Sequence, residues 1–520
     1  MTSRPSLPLI VGTLLITVIT LLICLIPKPE NDLFFELRIG TDILNSHHLP
    51  HFDTYSWTEH GRRWDVPEWL SMVLYAYAYR LSGFFGTWLL MALLAVGAAW
   101  TVWFTLLRRV GIAWAFGLTT LMLLAMSDCL QERPYAFSYV LLALSLKIVL
   151  DARESRLRNL LWLLPLCALW ANLHQGVLVG IGLLGVYGLA DAFTAFWGHS
   201  EQRHGQFRRS GIMLGMAAAC VGASLISPYG WRLYLNVLVT LRDHALMSNV
   251  TEWNSVAVLP VRQLQPFIAV TLCVFGALAL SKKRSLADTL AALALFANAL
   301  LHARNIALFA VGGLVIASVH LPSAIEQIRL VTGFSGRSRL LKPMLGMFAA
   351  LFVAAIALVS LASLHKAIGP RGYSLEGIGE AAARVPSYPA KAVAFVNAQQ
   401  FPPHLRLLND FETGGYLMWH LPSEPVFVDG RLDVYTGQTF DDMLVLSRQP
   451  GTPKWKALVQ RYDFDCVLTE NRPEANAFAS DPDWQLVFTY PKTGRKPHEF
   501  ILLRRRAQFL PLIARCLRGE

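Results

Sequence analysis

Four of the acidic residues in the segment that follows the first apolar stretch of the chain are candidates for chemistry. Asp32 and Glu36 lie near its start, and Asp65 and Glu68 lie in the run DVPEWL near its end. Carboxylates of this kind can take up a proton from a hydroxyl group or bind a polar substrate. Asp32 is also placed to cap a helix predicted from LFFELRIGTDIL, and Asp65 to cap the helix after it, so a structural role stays open for both.

Single basic residues mark later turns between apolar stretches. Arg133 lies in DCLQERPYAF, His174 in WANLHQG and Arg304 in LLHARNIAL. The planar guanidinium fork of arginine suits a phosphate or a carboxylate, so these turns are candidates for binding an anion. Two alternatives stay open: Glu132 would pair with Arg133, and His174 would be an ordinary interfacial histidine. Two further polar candidates are Tyr229 in SPYGWRLY and Glu252 in TEWNS.

The elements that must position these residues are membrane helices. Of the 520 residues, 54% are hydrophobic and 16% are charged, whereas a soluble protein has about 25% charged residues. Apolar runs of about 20 residues, the length that spans hydrocarbon, recur through the first two thirds of the chain. They predict eleven transmembrane helices near residues 7–27, 84–107, 113–127, 135–150, 159–173, 175–195, 211–227, 266–281, 286–302, 305–320 and 344–366.

Basic residues set the orientation of these helices. The clusters LLRRVG, KIVLDARESRLR, EQRHGQFRRS, SKKRS and RLVTGFSGRSRLLK all fall on one side, together with Arg4. Because cytoplasmic loops carry an excess of lysine and arginine, that side is predicted to be cytoplasmic. The N-terminus, with an uncleaved first helix, is then cytoplasmic. The acidic segment, the turns with Arg133, His174 and Arg304, and the C-terminal region are outside.

The first outer loop, residues 28–82, is predicted to contain two helices that lie at the membrane surface. The second of them, residues 68–82, carries four aromatic side chains, which favour the interface. If this segment spanned the membrane, the RRVG cluster would move outside. We therefore interpret residues 1–366 as a transmembrane domain whose first loop borders a cavity at the outer face.

Residues 367–520 predict a separate outer α/β domain. The segments LRLLND, PVFVDGR, FDCVLTE, WQLVFTY and EFILLRR have the composition of strands, and helical segments lie between them. Alternation of strands and helices favours a small α/β fold. The run from Asp429 to Asp433 resembles a ligand-binding edge, and turn formation is the alternative.

Several classes of function are disfavoured. Cytoplasmic loops explain the net charge of +11, and the chain has no basic helix or recognition motif for nucleic acid. The seven cysteines lack the spacing of a metal site. A divalent cation near the aspartates of the C-terminal region stays an open alternative, without a specific ligand spacing.

The order of these features resembles the GT-C glycosyltransferases, which include protein mannosyltransferases and bacterial lipid A aminoarabinose transferases, and in particular their uncharacterised bacterial members. The match rests on a first helix, an outer loop that opens with an acid, and an outer C-terminal domain. The matching positions are Asp32, Gly40, Pro50, Asp53, Ser56, Trp64 and EWL at 68–70, with RPYAFSYVLLAL, WANLHQGVLVGIGLLG, SPYGWRLY, TEWNS, RNIALFAV, GGYLMWHLP and VFVDGRLDVY. Two positions depart from the pattern: Phe35-Glu36 replaces an aromatic-histidine pair, and Pro67 replaces a histidine that often precedes EWL.

The resemblance implies that a sugar passes from a polyprenyl-phosphate carrier to a lipid, glycan or protein acceptor at the outer face of the bacterial inner membrane. Asp32 would act as the base, and Asp65 or Glu68 would position the acceptor or share that role. Arg133 and Arg304 would stabilise the leaving phosphate. The remaining substrate-binding candidates are Glu36, His174, Tyr229 and Glu252.

Two other functions are compatible with the sequence. Phe35-Glu36 and Pro67 would fit a decayed site in a non-catalytic membrane partner for the assembly of cell-surface polysaccharide. A transporter or polymerase of lipid-linked sugars would need polar groups deep in the bilayer and often internal symmetry. The sequence has neither a deep chain of charges nor a repeat.

Overall fold

The structure is a computed structural model, which describes residues 6–28, 32–154, 157–197, 200–242, 253–283, 285–332, 341–368, 374–382, 388–435, 437–490 and 499–518. Two compact units share the chain. Unit 1 comprises Met1–Lys28, Phe84–Leu233 and Val250–Ala382, and unit 2 comprises Pro29–Gly83, Tyr234–Asn249 and Ala383–Glu520. The first outer loop therefore belongs to the same unit as the C-terminal region.

Apolar helices make up unit 1. Most of them are hydrophobic on every side, as expected for helices that bury one face in protein and expose the other to lipid. The helices are Leu7–Cys24, Ile112–Ala125, Tyr135–Glu154, Leu163–Leu173, Val177–Trp197, Ser200–Ser224, Val261–Leu280, Leu286–Leu301, Ile306–Ala317, Leu321–Thr332, Leu341–Ile368 and Leu375–Ala382, with the part of Trp69–Val110 that follows Gly83.

Each predicted membrane helix has a helical counterpart, but the count of eleven spans is not confirmed. Among the described residues, five helices are long and apolar enough to cross a membrane, or six if the bent pair around residue 319 is one span. Several others are apolar but have only 10–17 residues. Ser200–Ser224 begins in a basic stretch, which lowers its mean hydropathy. The protein is a multi-pass membrane protein.

Small residues bring the helices of unit 1 close together. A Cβ atom added to Gly188 would come within 2.7 Å of Leu214, on the next helix. A Cβ atom added to Gly312 would come within 2.7 Å of Leu295 and 3.0 Å of Leu146. Close approach of this kind is typical of helix packing in membranes, where van der Waals contact holds helices together.

Two aspartates buried between these helices, Asp191 and Asp288, are paired. Arg153 donates to both carboxylate oxygens of Asp191, at 2.6 and 2.9 Å. Asp288 accepts from Tyr187 Oη at 3.0 Å and lies 3.0 Å from His320 Nε2. Pairing is the usual state of ionisable groups within membrane helices.

Two loop helices and a small sheet form unit 2. The loop helices are Leu33–Ser46 and the start of Trp69–Val110, which has a break at Ser82 and Gly83. They touch at Gly40, where an added Cβ atom would lie 2.1 Å from the carbonyl oxygen of Met72. Both predicted loop helices are therefore present, and glycine is required at their contact.

The sheet has the strand order β1-β2-β4-β3, and its strands are Leu407–Asn409, Cys466–Thr469, Trp484–Tyr490 and Glu499–Arg504 in chain order. β1 and β2 are parallel, and β4 runs antiparallel to both β2 and β3. All four residues of β2 are buried, as expected for a strand covered on both faces. The helices around it are Ala390–Ala398, Phe411–His420, Gln438–Arg448, Pro453–Tyr462, Arg472–Ala479 and Leu510–Arg518.

One strand expected from the sequence is absent from this sheet. The segment PVFVDGR was predicted as a strand. In the structure it forms a single isolated β-bridge, between Val426 and Ser56 of the first outer loop. Trp57 N donates to Val426 O at 3.1 Å, and Val426 N donates to Tyr55 O at 3.0 Å. The segment therefore joins the loop and not the sheet.

Candidate active site

Asp32 precedes the loop helix Leu33–Ser46, but its side chain does not cap that helix. Asp32 occupies the N-cap position without a side-chain hydrogen bond to the first helical amides. Its carboxylate lies against Gly430, because a Cβ atom added there would come within 2.3 Å of Asp32 Oδ1. The capping role is therefore wrong for Asp32, and its carboxylate faces the C-terminal region of unit 2.

The other acidic candidates of the loop are buried or half-buried. Glu36 follows Asp32 by one helical turn, its amide donates to the Asp32 carbonyl oxygen at 3.0 Å, and only 3% of its surface is exposed. Asp65 is buried as well, with Arg63 Nε 4.0 Å from its Oδ1. Glu68 is half-buried just before the second loop helix. These carboxylates have fixed surroundings, which is a condition for directed acid-base chemistry.

Arg431 is the centre of a buried ion-pair network in unit 2. Its guanidinium donates to Asp53 at 2.7 Å and to both oxygens of Asp429 at 2.8 and 2.7 Å. The Tyr435 hydroxyl donates to Asp429 at 2.6 Å, and the Trp64 ring lies 4.7 Å from the guanidinium carbon. Burial opposes the charge of Arg431, but Asp429, Tyr435 and Asp53 keep its pKa well above the ordinary value.

The aspartates of VFVDGRLD, which the sequence assigns either to a ligand-binding edge or to a turn, have partners within unit 2. Asp429 is used by Arg431, and Asp433 accepts from Trp64 Nε1 at 2.9 Å. Asp53 in addition accepts from the amides of Tyr55 and Ser56, at 3.1 and 3.2 Å. The segment therefore attaches the C-terminal region to the first outer loop.

In unit 1, two hydrogen-bond partners of His174 Nδ1 define the protonation state of the ring. Trp170 Nε1 donates to Ser138 Oγ at 2.7 Å, and Ser138 Oγ lies 2.7 Å from His174 Nδ1. The amide of Gly176 donates to the same Nδ1 at 2.9 Å. Since Nδ1 accepts, the ring proton is on Nε2. Burial and the charge of Arg304 lower the pKa of His174 to about 3, so the ring is neutral at physiological pH.

Arg304 is the strongest anion-binding candidate of unit 1. It is half-buried, and its guanidinium carbon lies 4.4 Å from the centre of the Trp253 ring. Trp253 is itself held, since its carbonyl oxygen lies 2.9 Å from His302 Nδ1. No carboxylate of the described residues forms a salt bridge with Arg304. Its charge is therefore positioned by stacking and not neutralised within the described part of the chain.

Arg133 lies in the same neighbourhood as His174 and Arg304. Its guanidinium carbon is 5.9 Å from the Tyr135 ring, and that ring meets the ring of His174 edge-on at 6.5 Å. Cys129 Sγ lies 3.8 Å from the carbonyl oxygen of Arg304. Arg133 and His174 both contact Tyr135, and the charge of Arg304 acts on His174, so we refer to these three residues of unit 1 as the basic cluster.

The contacts of the remaining two candidates, Tyr229 and Glu252, do not indicate a role. Tyr229 is buried in the turn before the helix Arg232–Arg242, where its carbonyl oxygen accepts from Arg232 N at 3.0 Å. Glu252 lies outside the described residues. Their roles stay predictions.

Sequence reasoning missed a buried charge next to the cluster. Lys28, only 7% exposed, donates to the carbonyl oxygen of Ile23 at 3.3 Å. Burial lowers the pKa of Lys28, and the charges of Glu132 and Asp128 oppose this effect. Burial raises the pKa of Glu132, which sequence offered only as a partner for Arg133. The sequence feature that could have indicated this buried charge is a lysine a few residues after the first apolar helix, Leu7–Cys24.

No group of three or more histidine, cysteine, aspartate or glutamate side chains in the described ranges is placed to hold a metal ion.

Solved structures, and not sequences, provide the match to known proteins. No protein-family model and no curated protein matches the sequence. The structure of ArnT from Cupriavidus metallidurans bound to undecaprenyl phosphate is similar at a TM-score of 0.52 and 14% identity, over 95% of this chain and 96% of that chain. The Archaeoglobus fulgidus oligosaccharyltransferase, in complex with zinc and sulfate, gives a TM-score of 0.48 and 12% identity, over 93% of this chain and 72% of that chain. The second likeness is too weak to carry an argument.

The fold of this chain is similar to that of ArnT. The likeness to ArnT, an aminoarabinose transferase, spans almost the whole of both chains. The resemblance predicted from the sequence is therefore confirmed at the level of the fold.

Proposed function

We propose that this protein is an integral membrane glycosyltransferase of the GT-C type, which moves a sugar from a polyprenyl-phosphate donor to an acceptor at the outer face of the bacterial inner membrane. The observation that carries the proposal is the fold shared with ArnT along 95% of the chain. That structure was determined with undecaprenyl phosphate bound, which supports a carrier of the same class for this chain.

Asp32 is the proposed base. As the acceptor hydroxyl attacks the anomeric carbon, its proton passes to the carboxylate, the new carbon–oxygen bond forms, and the bond to the carrier phosphate breaks. Its position against Gly430, without a capping role, supports this assignment. Asp65 or Glu68 would position the acceptor or share the role of Asp32.

The basic cluster of unit 1 is the proposed site for the carrier phosphate. Arg133 and Arg304 would stabilise the negative charge that grows on the leaving phosphate. His174, neutral and with its proton on Nε2, would donate a hydrogen bond there without changing its charge. Glu36, Tyr229 and Glu252 complete the proposed binding residues.

The proposed orientation places the N-terminus in the cytoplasm and the C-terminal region in the periplasm. Reporter fusions after Lys283 and after the full chain distinguish this arrangement from its inverse. We expect the first fusion to report a cytoplasmic position and the second a periplasmic one. The reverse result would place Asp32 on the wrong side for the proposed reaction.

A strain that lacks this protein tests the function. Mass spectrometry of membrane lipids and surface glycans is expected to show a sugar-loaded polyprenyl phosphate that accumulates and one glycan modification that disappears. The mass of the accumulated lipid would identify the sugar. A deletion strain with unchanged lipids and glycans would contradict the proposal and favour transport. Loss of the modification without accumulation of a loaded carrier would favour a non-catalytic partner.

A further inference from the structure

Gly430 meets the proposed base directly. A Cβ atom added to Gly430 would lie 2.3 Å from Asp32 Oδ1, 3.3 Å from Asp32 Cγ and 2.9 Å from Phe35 Cε1. Contacts shorter than 3.0 Å force a neighbouring group to shift. The Asp32 carboxylate therefore occupies the space that a side chain at position 430 would take.

The backbone at position 430 does not itself require glycine. Gly430 is not among the glycines with a positive φ angle, such as Gly437 at +70°. The groups it would strike are the ends of side chains, whereas a Cβ atom on nearby Gly414 would meet the backbone oxygen of Val428 at 2.0 Å. Alanine at position 430 would thus displace the carboxylate of Asp32 and, by a smaller distance, the ring of Phe35, and leave the chain path in place.

The turn that carries Gly430 is rigidly anchored on both sides. Asp429 and Arg431 are its chain neighbours, and their side chains are 0% and 1% exposed in the buried ion pair. Arg431 also binds Asp53 of the first outer loop at 2.7 Å. Thr58 Oγ1 donates to the carbonyl oxygen of Phe427 at 2.6 Å, just before this turn. A turn fixed in this way can define the position of a side chain that rests on it.

From this arrangement we infer that Gly430 is a positioning residue for Asp32, and that the C-terminal region sets the geometry of the carboxylate that deprotonates the acceptor hydroxyl. This inference rests on the proposed function. The C-terminal region then takes part in catalysis in two ways. Gly430 has no side chain and leaves room for the Asp32 carboxylate, and the ion pairs of Arg431 hold the turn that carries Gly430. An error of about 1 Å in the position of a catalytic group can lower a rate about 100-fold.

The test compares Gly430→Ala with Asp32→Asn, each expressed as the full chain in the deletion strain. We expect both variants to accumulate the sugar-loaded polyprenyl phosphate to similar levels. The purified Gly430→Ala protein is expected to unfold within about 2 °C of the native protein, because the added Cβ atom meets side chains and not backbone. The matched control is Gly182→Ala, since an added Cβ atom on this helical glycine meets no atom within 4 Å.

The outcomes separate this inference from the proposed function. If Asp32→Asn accumulates the loaded carrier and a stably folded Gly430→Ala does not, the positioning role is overturned and the proposed function stands. If the deletion strain accumulates the loaded carrier and neither variant does, Asp32 is not the base and the inference falls with that assignment. If the deletion strain itself does not accumulate it, the proposed function fails.

A double variant keeps the inference testable if Gly430→Ala is unstable. Because Asp32 supplies the shortest contact, adding Asp32→Ala should restore most of the lost stability. A double variant as unstable as Gly430→Ala alone would show that the glycine serves the fold and would overturn the inference.

Discussion

At the scale of single residues, Arg431 shows how a buried charge can hold two distant parts of the sequence together. Its ion-pair partners Asp53 and Asp429 have fully buried side chains. Removal of one member of such a group leaves the others charged and without compensation, which costs more than the intact group contributes.

We therefore expect Arg431→Met to lower the free energy of unfolding by about 3–5 kcal/mol. Arg461→Met is the matched control: Arg461 lies 3.1 Å from Asp442, but its side chain is 52% exposed. An exposed pair of this kind contributes about 0–1 kcal/mol. Thermal unfolding of the two purified full-length variants checks the difference, and equal losses would contradict the proposed importance of the network.

His174 gives a prediction about pH. In the folded protein its pKa lies at about 3, whereas an unfolded histidine takes up a proton near pH 6.5. Between these values the unfolded state binds more protons, so the free energy of unfolding falls as the pH drops below about 6.5, on the order of 1 kcal/mol per pH unit. The same stabilising contribution is fully present above that pH.

We expect the unfolding temperature of His174→Gln to fall less than that of the native protein between pH 7.5 and pH 5. The exposed His60 provides the control, and His60→Gln should follow the native curve. A His174→Gln curve parallel to the native one would mean that the folded histidine is protonated as readily as the unfolded one.

Residue types revealed the candidates, but contacts between distant residues could not be read from the sequence. Arg133, His174 and Arg304 are candidates because each is a polar residue at a turn between apolar stretches. In the structure, Tyr135 contacts both Arg133 and His174, and the charge of Arg304 acts on His174. The role of Arg431 depends on Asp53, which lies 378 residues earlier in the chain. Local spacing carries no information about such a pair, so the DGR motif was read as a ligand-binding edge or a turn.

At the scale of elements, the two loop helices are set by their contact at Gly40. The nearest obstacles to a Cβ atom there are the carbonyl oxygen and carbon of Met72, at 2.1 and 2.6 Å. Both belong to the backbone of the second loop helix, so a side chain at position 40 must push the helices apart.

Gly40→Ala is therefore expected to lower the free energy of unfolding by about 1–3 kcal/mol, as overpacking does in other cores. Gly182→Ala, which meets open space, should leave it unchanged or raise it slightly. The comparison uses thermal unfolding of the full chain in detergent. A stable Gly40→Ala variant would show that the two loop helices can separate without cost.

Hydrophobic periodicity predicted the helices and strands better than it predicted their partners. WQLVFTY forms β3 along its whole length, and EFILLRR forms β4 except for its last residue. PVFVDGR has the same composition, but Val426 pairs with Ser56 of the first outer loop. Strand propensity indicates that a segment suits an extended, half-buried conformation. It does not identify the strand or loop with which the segment pairs.

At the scale of the whole molecule, the fold relates a chain without a matching family model to ArnT. Length and apolar composition were sufficient to predict a multi-pass membrane protein, because the hydrocarbon thickness fixes the length of a span. The exact number of spans stays a prediction, because several apolar helices among the described residues have only 10–17 residues. The grouping of the first outer loop with the C-terminal region in one unit followed from contacts that only the three-dimensional structure provides.

The most direct test of the account is the amount of sugar-loaded polyprenyl phosphate in membranes of a deletion strain that expresses Asp32→Asn. Asp481→Asn, in an exposed turn, is the matched control for the same chemical change. We predict that the loaded carrier accumulates with Asp32→Asn and the glycan modification is lost, while Asp481→Asn restores both to native levels. If Asp32→Asn restores the native lipid and glycan pattern as fully as Asp481→Asn does, Asp32 is not the base and the central claim is wrong.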